Sequence, residues 1–281
     1  MQNSIAVEAH VVSSRGKHRE NHEDNFLFHM HDFINEALQK EMTPYGQNSV
    51  EIHLAKQAIN RSLFVIADGM GGHQSGEVAS RLATMLIKES MEPIINSVSI
   101  EGASEKYQQL VQLLNKHFLQ IMKTDKKYAG MGTTLTSLLL FEGQCIALHI
   151  GDSRIYVYDP QKGLQKITTD HVASLIVASN QEKFTTRKVL TRYIGMGTAD
   201  LKLRASQSAV IDITSKKRLL LCSDGLTDIV DDATIAHVLQ TTNDVTEATH
   251  KLVQLANEGT RQVEGGTDNI TVLILDCWPF A

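Results

Sequence analysis

The segment Ala67-Asp68-Gly69-Met70-Gly71-Gly72-His73 constrains this chain more than any other. It follows Leu63-Phe64-Val65-Ile66, an apolar run that reads as a buried strand. An aspartate at a strand end, followed by glycines, can aim a carboxylate and a bare backbone carbonyl at one cation. Glycine lets the backbone approach and turn where a side chain would obstruct. Taken alone, the segment is equally consistent with a strand-to-helix turn capped by Asp68.

The pattern recurs. Leu219-Leu220-Leu221-Cys222 ends in Ser223-Asp224-Gly225, and Ile146-Ala147-Leu148-His149-Ile150 ends in Gly151-Asp152-Ser153-Arg154. Gly265-Gly266-Thr267-Asp268-Asn269 leads into Ile270-Thr271-Val272-Leu273-Ile274-Leu275. One such aspartate is ordinary turn chemistry. Four beside apolar strands predict carboxylates converging at one end of a sheet. Such carboxylates do not all stay ionised without cations, and an oxygen donor set favours Mg²⁺ or Mn²⁺. The sequence holds no Cys-x-x-Cys and no His-Glu-x-x-His, which argues against zinc in this role. His29 and His31 read as surface or packing residues. There is no Cys-x5-Arg loop and no Gly-x-Ser-x-Gly elbow, so no protein nucleophile is indicated.

A net charge of −5 over 281 residues argues against a general nucleic-acid or anionic-membrane binder. Of three cysteines, Cys145, Cys222 and Cys277, two lie in apolar runs, where a reduced buried thiol is expected; a cytoplasmic location fits. No signal-peptide pattern or membrane-length apolar run is present. The chain reads as one bare catalytic domain, residues 1–281.

Periodicity predicts mixed α and β structure. Val7–Val12 and the run from Phe26 read as strands. Gly76–Ser90 reads as a helix with Val78, Leu82, Met85 and Leu86 on one face. Tyr107, Leu110, Val111, Leu114, Phe118 and Ile121 mark a second helix, with Pro93 and Gly102 between the two, which predicts antiparallel neighbours. Strands dominate Thr133–Ile167, with a hairpin turn supplied by Val157-Tyr158-Asp159-Pro160-Gln161-Lys162-Gly163. Val245, Ala248, Leu252, Leu255 and Ala256 mark a helix before the last strand. This alternation suggests layered sheets with helices outside.

Seven motifs occur in order over almost the whole chain. They are Gly16-Lys17-His18-Arg19-Glu20-Asn21-His22-Glu23-Asp24, Asp68-Gly69-Met70-Gly71-Gly72-His73, Met131-Gly132-Thr133-Thr134, Gly151-Asp152-Ser153-Arg154, Thr169-Asp170-His171, Ser223-Asp224-Gly225-Leu226 and Asp268-Asn269-Ile270-Thr271. In this combination the chain resembles the PPM metal-dependent protein Ser/Thr phosphatases, the type 2C family, in a bacterial form. The first motif ends in a variant, His22-Glu23-Asp24. The resemblance implies an α+β fold: a central sandwich of two antiparallel sheets flanked by helices in α-β-β-α layers, with a metal cleft at one edge. It implies hydrolysis of phosphoserine and phosphothreonine by a water or hydroxide bridging two Mn²⁺ or Mg²⁺ ions.

In the same reading Asp68 bridges both ions and the Gly69 carbonyl binds one, while Asp224 and Asp268 hold the other. Glu23 and Asp24 bind through waters at the edge, and Asp152 helps hold a third, weaker ion. Arg19 grips the substrate phosphate, so Arg19, Asp68 and Asp152 are the catalytic candidates. The implied partners are a phosphorylated protein and the pathway of a cognate Ser/Thr kinase, with no nucleic acid, no membrane and a monomeric state. The alternatives are a pseudophosphatase that binds a partner, or a phosphatase for a small metabolite or an anti-sigma-factor antagonist.

Some conspicuous residues have more modest readings. Arg154 reads as a structural ion-pair partner or a substrate contact, and Asp170-His171 as scaffold or family motif. Asp228 and Asp231-Asp232 read as helix caps or solvated charges. Met70 stands where many animal members carry a histidine, which leaves the general acid open between a metal-bound water, His73 and no essential group. Two segments depart from the family pattern. Residues 31–61 form a longer insert, read as a surface loop or a substrate selector, in which Phe33, Ile34, Ala37 and Leu38 suggest a short amphipathic turn and Pro44-Tyr45-Gly46 a loop. Residues 172–196 form a short flap region made positive by Arg187, Lys188 and Arg192.

Overall fold

Strands that are apolar on both faces need cover on both faces, and this requirement sets the architecture. In the strand Arg61–Met70, Phe64 and Ile66 enter one core and Leu63 and Val65 another. In the strand Ile270–Pro279, Leu273 and Leu275 join the core of Phe64, whereas Val272 and Ile274 enter a third. A computed structural model describes residues 5–28, 49–71, 75–178, 184–198, 200–260 and 263–279.

In chain order the strands are Ile5–Ser14 (β1), Asp24–Phe28 (β2), Ser49–Ile59 (β3), Arg61–Met70 (β4), Gly132–Thr133 (β5), Leu135–Phe141 (β6), Gln144–Ile150 (β7), Arg154–Asp159 (β8), Gly163–Lys166 (β9), Val172–Ala178 (β10), Phe184–Leu190 (β11), Ser206–Gln207 (β12), Ile211–Asp212 (β13), Lys217–Cys222 (β14) and Ile270–Pro279 (β15). The helices are Ser75–Ser90 (α1), Glu92–Ile95 (α2), Ile100–Thr124 (α3), Asp224–Thr227 (α4), Asp232–Thr241 (α5) and Val245–Glu258 (α6).

One antiparallel sheet has the order β3-β1-β15-β14-β8-β9. A second runs β12-β7-β6-β4-β2, with β13 on β7 and β5 on β4, and β10 and β11 form a separate antiparallel pair. Strands from opposite ends of the chain, β1 and β15, pair from Ile5↔Pro279 to Ser14↔Ile270. Val7, Val11, Phe64, Leu138, Leu221 and Leu273 fill the space between the sheets. The second sheet is covered by α1 and α3, and the first by α5 and α6. The layers are those of an α-β-β-α sandwich. All three cysteines are free and buried. Among the described residues no helix is long and apolar enough to cross a membrane.

Two sequence expectations change in detail. The first helix lies where periodicity placed it, but its buried stripe is Ala79, Ala83 and Ile87, with Met85 39% exposed. Small alanines let the helix approach the sheet closely, and Leu82 and Leu86 pack at the flanks, partly buried. Within the segment read as an insert, residues 49–59 are not loop: they form the edge strand β3, paired to β1. Phe33, Ile34, Ala37, Leu38 and Pro44-Tyr45-Gly46 lie outside the described residues.

An ion pair ties the first sheet to its helices. Arg218 on β14 bonds Asp276 on β15 through Nε–Oδ1 at 2.5 Å and Nη2–Oδ2 at 2.6 Å. Its remaining N–H groups donate to the carbonyls of Leu239, in the last turn of α5, and of Thr242 and Asn243 just beyond it. At 8% and 7% exposure, neither charge has water as a substitute partner. Arg218→Ala should therefore lower unfolding stability by about 3–5 kcal/mol in denaturant titration. A loss below about 1 kcal/mol would show that the pair is dispensable.

Candidate metal centre

The candidate aspartates sit where strands end. Asp24 opens β2 and lies opposite Asp68 near the end of β4. Asp224 begins α4, directly after β14, and Asp268 lies just before β15. Asp152 lies in the link from β7 to β8, which passes from one sheet to the other. The carboxylates therefore converge from both sheets, not from one sheet alone as the strand pattern suggests. Asp24, Asp224, Asp268 and Asp152 all act on the ionisation of Asp68.

Burial and mutual repulsion raise these carboxyl pKa values. Burial, then Asp24, Asp224, Asp268 and Asp152, hold Asp68 well above the ordinary carboxylate range. Asp224 is pushed up to about 8, first by burial and then by Asp152, Asp228 and Asp268. Burial pushes Asp24 to about 7, although its Oδ2 accepts hydrogen bonds from Ser223 Oγ and Thr271 Oγ1, both at 2.7 Å. Its Oδ1 is buried and has no hydrogen-bond partner among the described residues. Asp152 is raised by burial, with Lys188 opposing the shift. Burial likewise raises Glu23, against the pull of Arg19. Oxygen donors held together against their own charge, one of them an unpartnered buried oxygen, fit hard divalent cations.

The backbone around Asp68 is fixed on both sides. Its N–H donates to Thr134 Oγ1 at 2.9 Å, and its carbonyl accepts from Thr134 N at 2.8 Å and Thr133 Oγ1 at 2.9 Å. The next residue, Gly69, donates its N–H to the Glu23 carbonyl at 3.0 Å. A Cβ on Gly69 would stand 2.0 Å from the Gly76 carbonyl oxygen, and one on Gly225 would stand 2.0 Å from that of Asn269. Close approach of two backbones, at the start of α1 and again before β15, makes glycine obligatory at both positions.

Arg19 is not free. Its Nη2 lies 2.5 Å from Asp268 Oδ2 and its Nη1 3.7 Å from Glu23 Oε2, with the side chain 44% exposed. Lys188 on β11 reaches Asp152 Oδ2 at 3.1 Å and Asp228 Oδ1 at 3.4 Å. Arg154 forms a forked pair with Asp170, Nε to both oxygens at 3.1 Å and Nη2 to Oδ2 at 2.7 Å, which is its structural reading. His171 accepts from Gly151 N at 3.0 Å through Nδ1, and its Nε2 meets Ser206 Oγ at 2.9 Å. It therefore braces the loop that carries Asp152. Asp231 caps α5 by accepting from Thr234 N at 2.8 Å. His73 lies outside the described residues.

Sequence reasoning gave no role to Asn269, Ser223, Thr271 or Thr134. Asn269 Oδ1 accepts from Glu23 N at 2.7 Å, and its Nδ2 donates to the carbonyls of Arg15 and Asn21 at 2.9 and 3.0 Å. One amide thereby pins the loop bearing Arg19 and Glu23 against Asp268. The only signal for these residues is their place inside motifs whose aspartates drew the attention.

The raised carboxyl groups predict a pH dependence. A group whose folded pKa lies above its unfolded value binds the extra proton in the folded state. Its stabilising contribution is complete below the ordinary carboxylate pKa and is gone once pH passes the folded value. Chelator-treated protein should therefore lose thermal stability as pH rises from about 4 through the values of about 7 for Asp24 and about 8 for Asp224. Excess Mn²⁺ should flatten that decline. A melting temperature that rises over the same window in chelator would contradict the geometry.

Residues 51–258 match the family model described as Protein phosphatase 2C. The chain is 29% identical over 225 residues to the serine/threonine phosphatase stp of Listeria monocytogenes, covering 77% of this chain and 85% of that one. It is 31% identical over 223 residues to protein phosphatase PhpP of Streptococcus pneumoniae, with 76% and 85% covered. The crystal structure of the catalytic domain of the serine/threonine protein phosphatase PstP in complex with two manganese ions superposes with a TM-score of 0.68 at 26% identity, covering 97% of this chain and 99% of that one. With the sandwich and its carboxylate cleft, these likenesses show that the chain belongs to the protein phosphatase 2C family and is a protein serine/threonine phosphatase.

Proposed function

We propose that the cleft holds two divalent ions, Mn²⁺ in preference to Mg²⁺, through Asp68, the Gly69 carbonyl, Asp224 and Asp268, and that phosphoserine and phosphothreonine of a protein substrate are hydrolysed there. The observation that carries this reading is the set of carboxyl groups from both sheets whose pKa values are raised by burial and then by neighbouring carboxylates. The two manganese ions of the PstP relative support the choice of metal. When bound, such ions lower the pKa of water and offset charge on the phosphoryl group in transfer. Asp68, raised first by burial and then by the other four aspartates, is the residue that would hold both ions.

Arg19 and Lys188 take a related part. Each sets a side-chain cation against a candidate ligand, Arg19 on Asp268 and Lys188 on Asp152. If Asp268 held a metal ion, the Arg19 guanidinium would be free to take two phosphate oxygens, a geometry that a lysine does not offer. Asp152 would hold a third, weaker ion, because Lys188 already occupies its Oδ2 at 3.1 Å. Glu23 and Asp24 border the cluster and act through water. The natural substrates are phosphoproteins of a Ser/Thr kinase pathway in the cytoplasm; three buried free thiols support a reducing compartment.

Steady-state kinetics on a phosphopeptide test this reading. Turnover should need Mn²⁺ and cease in excess chelator. Asp68→Asn should lower kcat at least about 100-fold, the scale of losing one aligned electrostatic group. Arg19→Ala should raise KM about 10-fold or more, since a charge-assisted hydrogen bond contributes about 1.5–3 kcal/mol. Asp152→Ala should slow turnover while keeping the affinity for the first two ions. Full turnover in chelator, or wild-type kcat in Asp68→Asn, would overturn the proposal.

A further inference from the structure

A second group of ligand-type side chains lies outside the carboxylate cleft, on the helix-covered side of the first sheet. Along β1, Val7, Ala9 and Val11 enter the core between the sheets, so His10 points the other way, toward α6. The edge strand β3 pairs His53 with His10 and Glu51 with Val12. Val50, Ile52 and Leu54 of β3 pack on the inter-sheet core, which places Glu51 and His53 on the face of His10. Helix α6 buries Thr249, Leu252 and Val253 and brings His250 to the same spot.

These side chains meet. The ring centroids of His10 and His250 are 5.2 Å apart, and those of His10 and His53 are 5.9 Å apart. Glu51 Oε2 lies 3.0 Å from His250 Nε2 and 3.9 Å from His10 Nε2. One ligand atom from each of His10, Glu51 and His250 lies within 4.8 Å of the others. His53 is held instead by Glu8, at 3.2 Å.

A surface ion pair between Glu51 and His250 accounts for only part of this arrangement. His10 is 2% exposed, and its Nδ1 is buried with no hydrogen-bond partner among the described residues. The nitrogen that faces Glu51 is Nε2, and burial, then the neighbouring His250, push the pKa of His10 down to about 4, so the imidazole is neutral and one ring nitrogen keeps a lone pair. A buried neutral imidazole, a second imidazole and a carboxylate form a donor set of known preference. Imidazole nitrogen suits Zn²⁺ and similar ions, whereas Mg²⁺ and Mn²⁺ select oxygen. Two His and one Glu leave a fourth tetrahedral position for solvent. Ligand atoms in such a shell are roughly 3.3 Å apart, given bonds of about 2.0–2.2 Å. Rotation of Glu51 and His250, both about half exposed, closes the remaining gap.

We propose that His10, Glu51 and His250 form a Zn²⁺ site, distinct from the phosphatase centre, that staples the edge strand β3 to β1 and α6. The site joins three segments that are far apart in the chain. It fastens the strand whose outer edge has no partner strand among the described residues.

Zn²⁺ titration of the full-length protein, with Mn²⁺ kept saturating, tests the site by calorimetry and by ¹⁵N NMR of the histidine rings. Wild type should take up one further Zn²⁺, melt at a higher temperature with it, and shift the ring nitrogens of His10 and His250. His250→Ala and Glu51→Gln alter half-exposed side chains, so both should fold, and each should weaken that Zn²⁺ at least about 10-fold. Equal Zn²⁺ uptake and equal thermal gain in wild type and both variants would overturn the proposal. So would unmoved His10 and His250 ring signals at saturating Zn²⁺, which would leave an ordinary ion pair.

Discussion

The burial of carboxylates beside one another at one end of the sandwich is the constraint on which the rest of the structure depends. Asp24, Asp68, Asp152 and Asp224 all have raised pKa values, and for each the leading cause is burial. A protein that gathers such groups must hold them with more rigid interactions than their repulsion can undo. Paired strands in two sheets supply the positions, and hydroxyl and backbone donors supply the local restraint. Ser223 and Thr271, from the first sheet, grip Asp24, which belongs to the second. The repulsion thereby becomes a store of affinity for a cation, because a metal ion removes the cost that the fold imposes.

The glycines and the asparagine of the motifs serve the same end. Gly69 and Gly225 let backbone pass backbone at distances no side chain permits. Asn269 satisfies three backbone groups of the loop that carries Arg19 and Glu23. Two side-chain cations, Arg19 and Lys188, pair with carboxylates of this centre, Arg19 with Asp268 and Lys188 with Asp152. Arg19 rests on Asp268 at 2.5 Å and on Glu23 at 3.7 Å, and in the proposed function it exchanges these partners for substrate phosphate.

Much of this was legible in the sequence, and the reasons are physical. Leu63–Ile66 and Leu219–Cys222 are continuous apolar runs because both their faces are buried, and an aspartate right after such a run is at a strand end. The stripe Tyr107, Val111, Leu114 and Phe118 is legible because large side chains keep helical spacing. The face of α1 was misread because small residues, Ala79 and Ala83, make its contact, while the large ones lie at the margins. β3 was missed because an edge strand with Glu51, His53 and Lys56 on exposed positions lacks a continuous apolar signature. The bonds of Asn269 to Glu23 and of Ser223 to Asp24 span 246 and 199 residues, and no local pattern encodes pairings of that range. Nor did the motif reveal that Arg19 rests on Asp268, because a motif names a residue and not its partner.

Anomalous diffraction from crystals soaked in Mn²⁺, recorded at the manganese absorption edge, tests the central claim most directly. The account predicts two adjacent peaks enclosed by Asp68, the Gly69 carbonyl, Asp224 and Asp268, with the Arg19 guanidinium moved off Asp268. The absence of any peak among these residues at saturating Mn²⁺, with Arg19 still bound to Asp268, would contradict it.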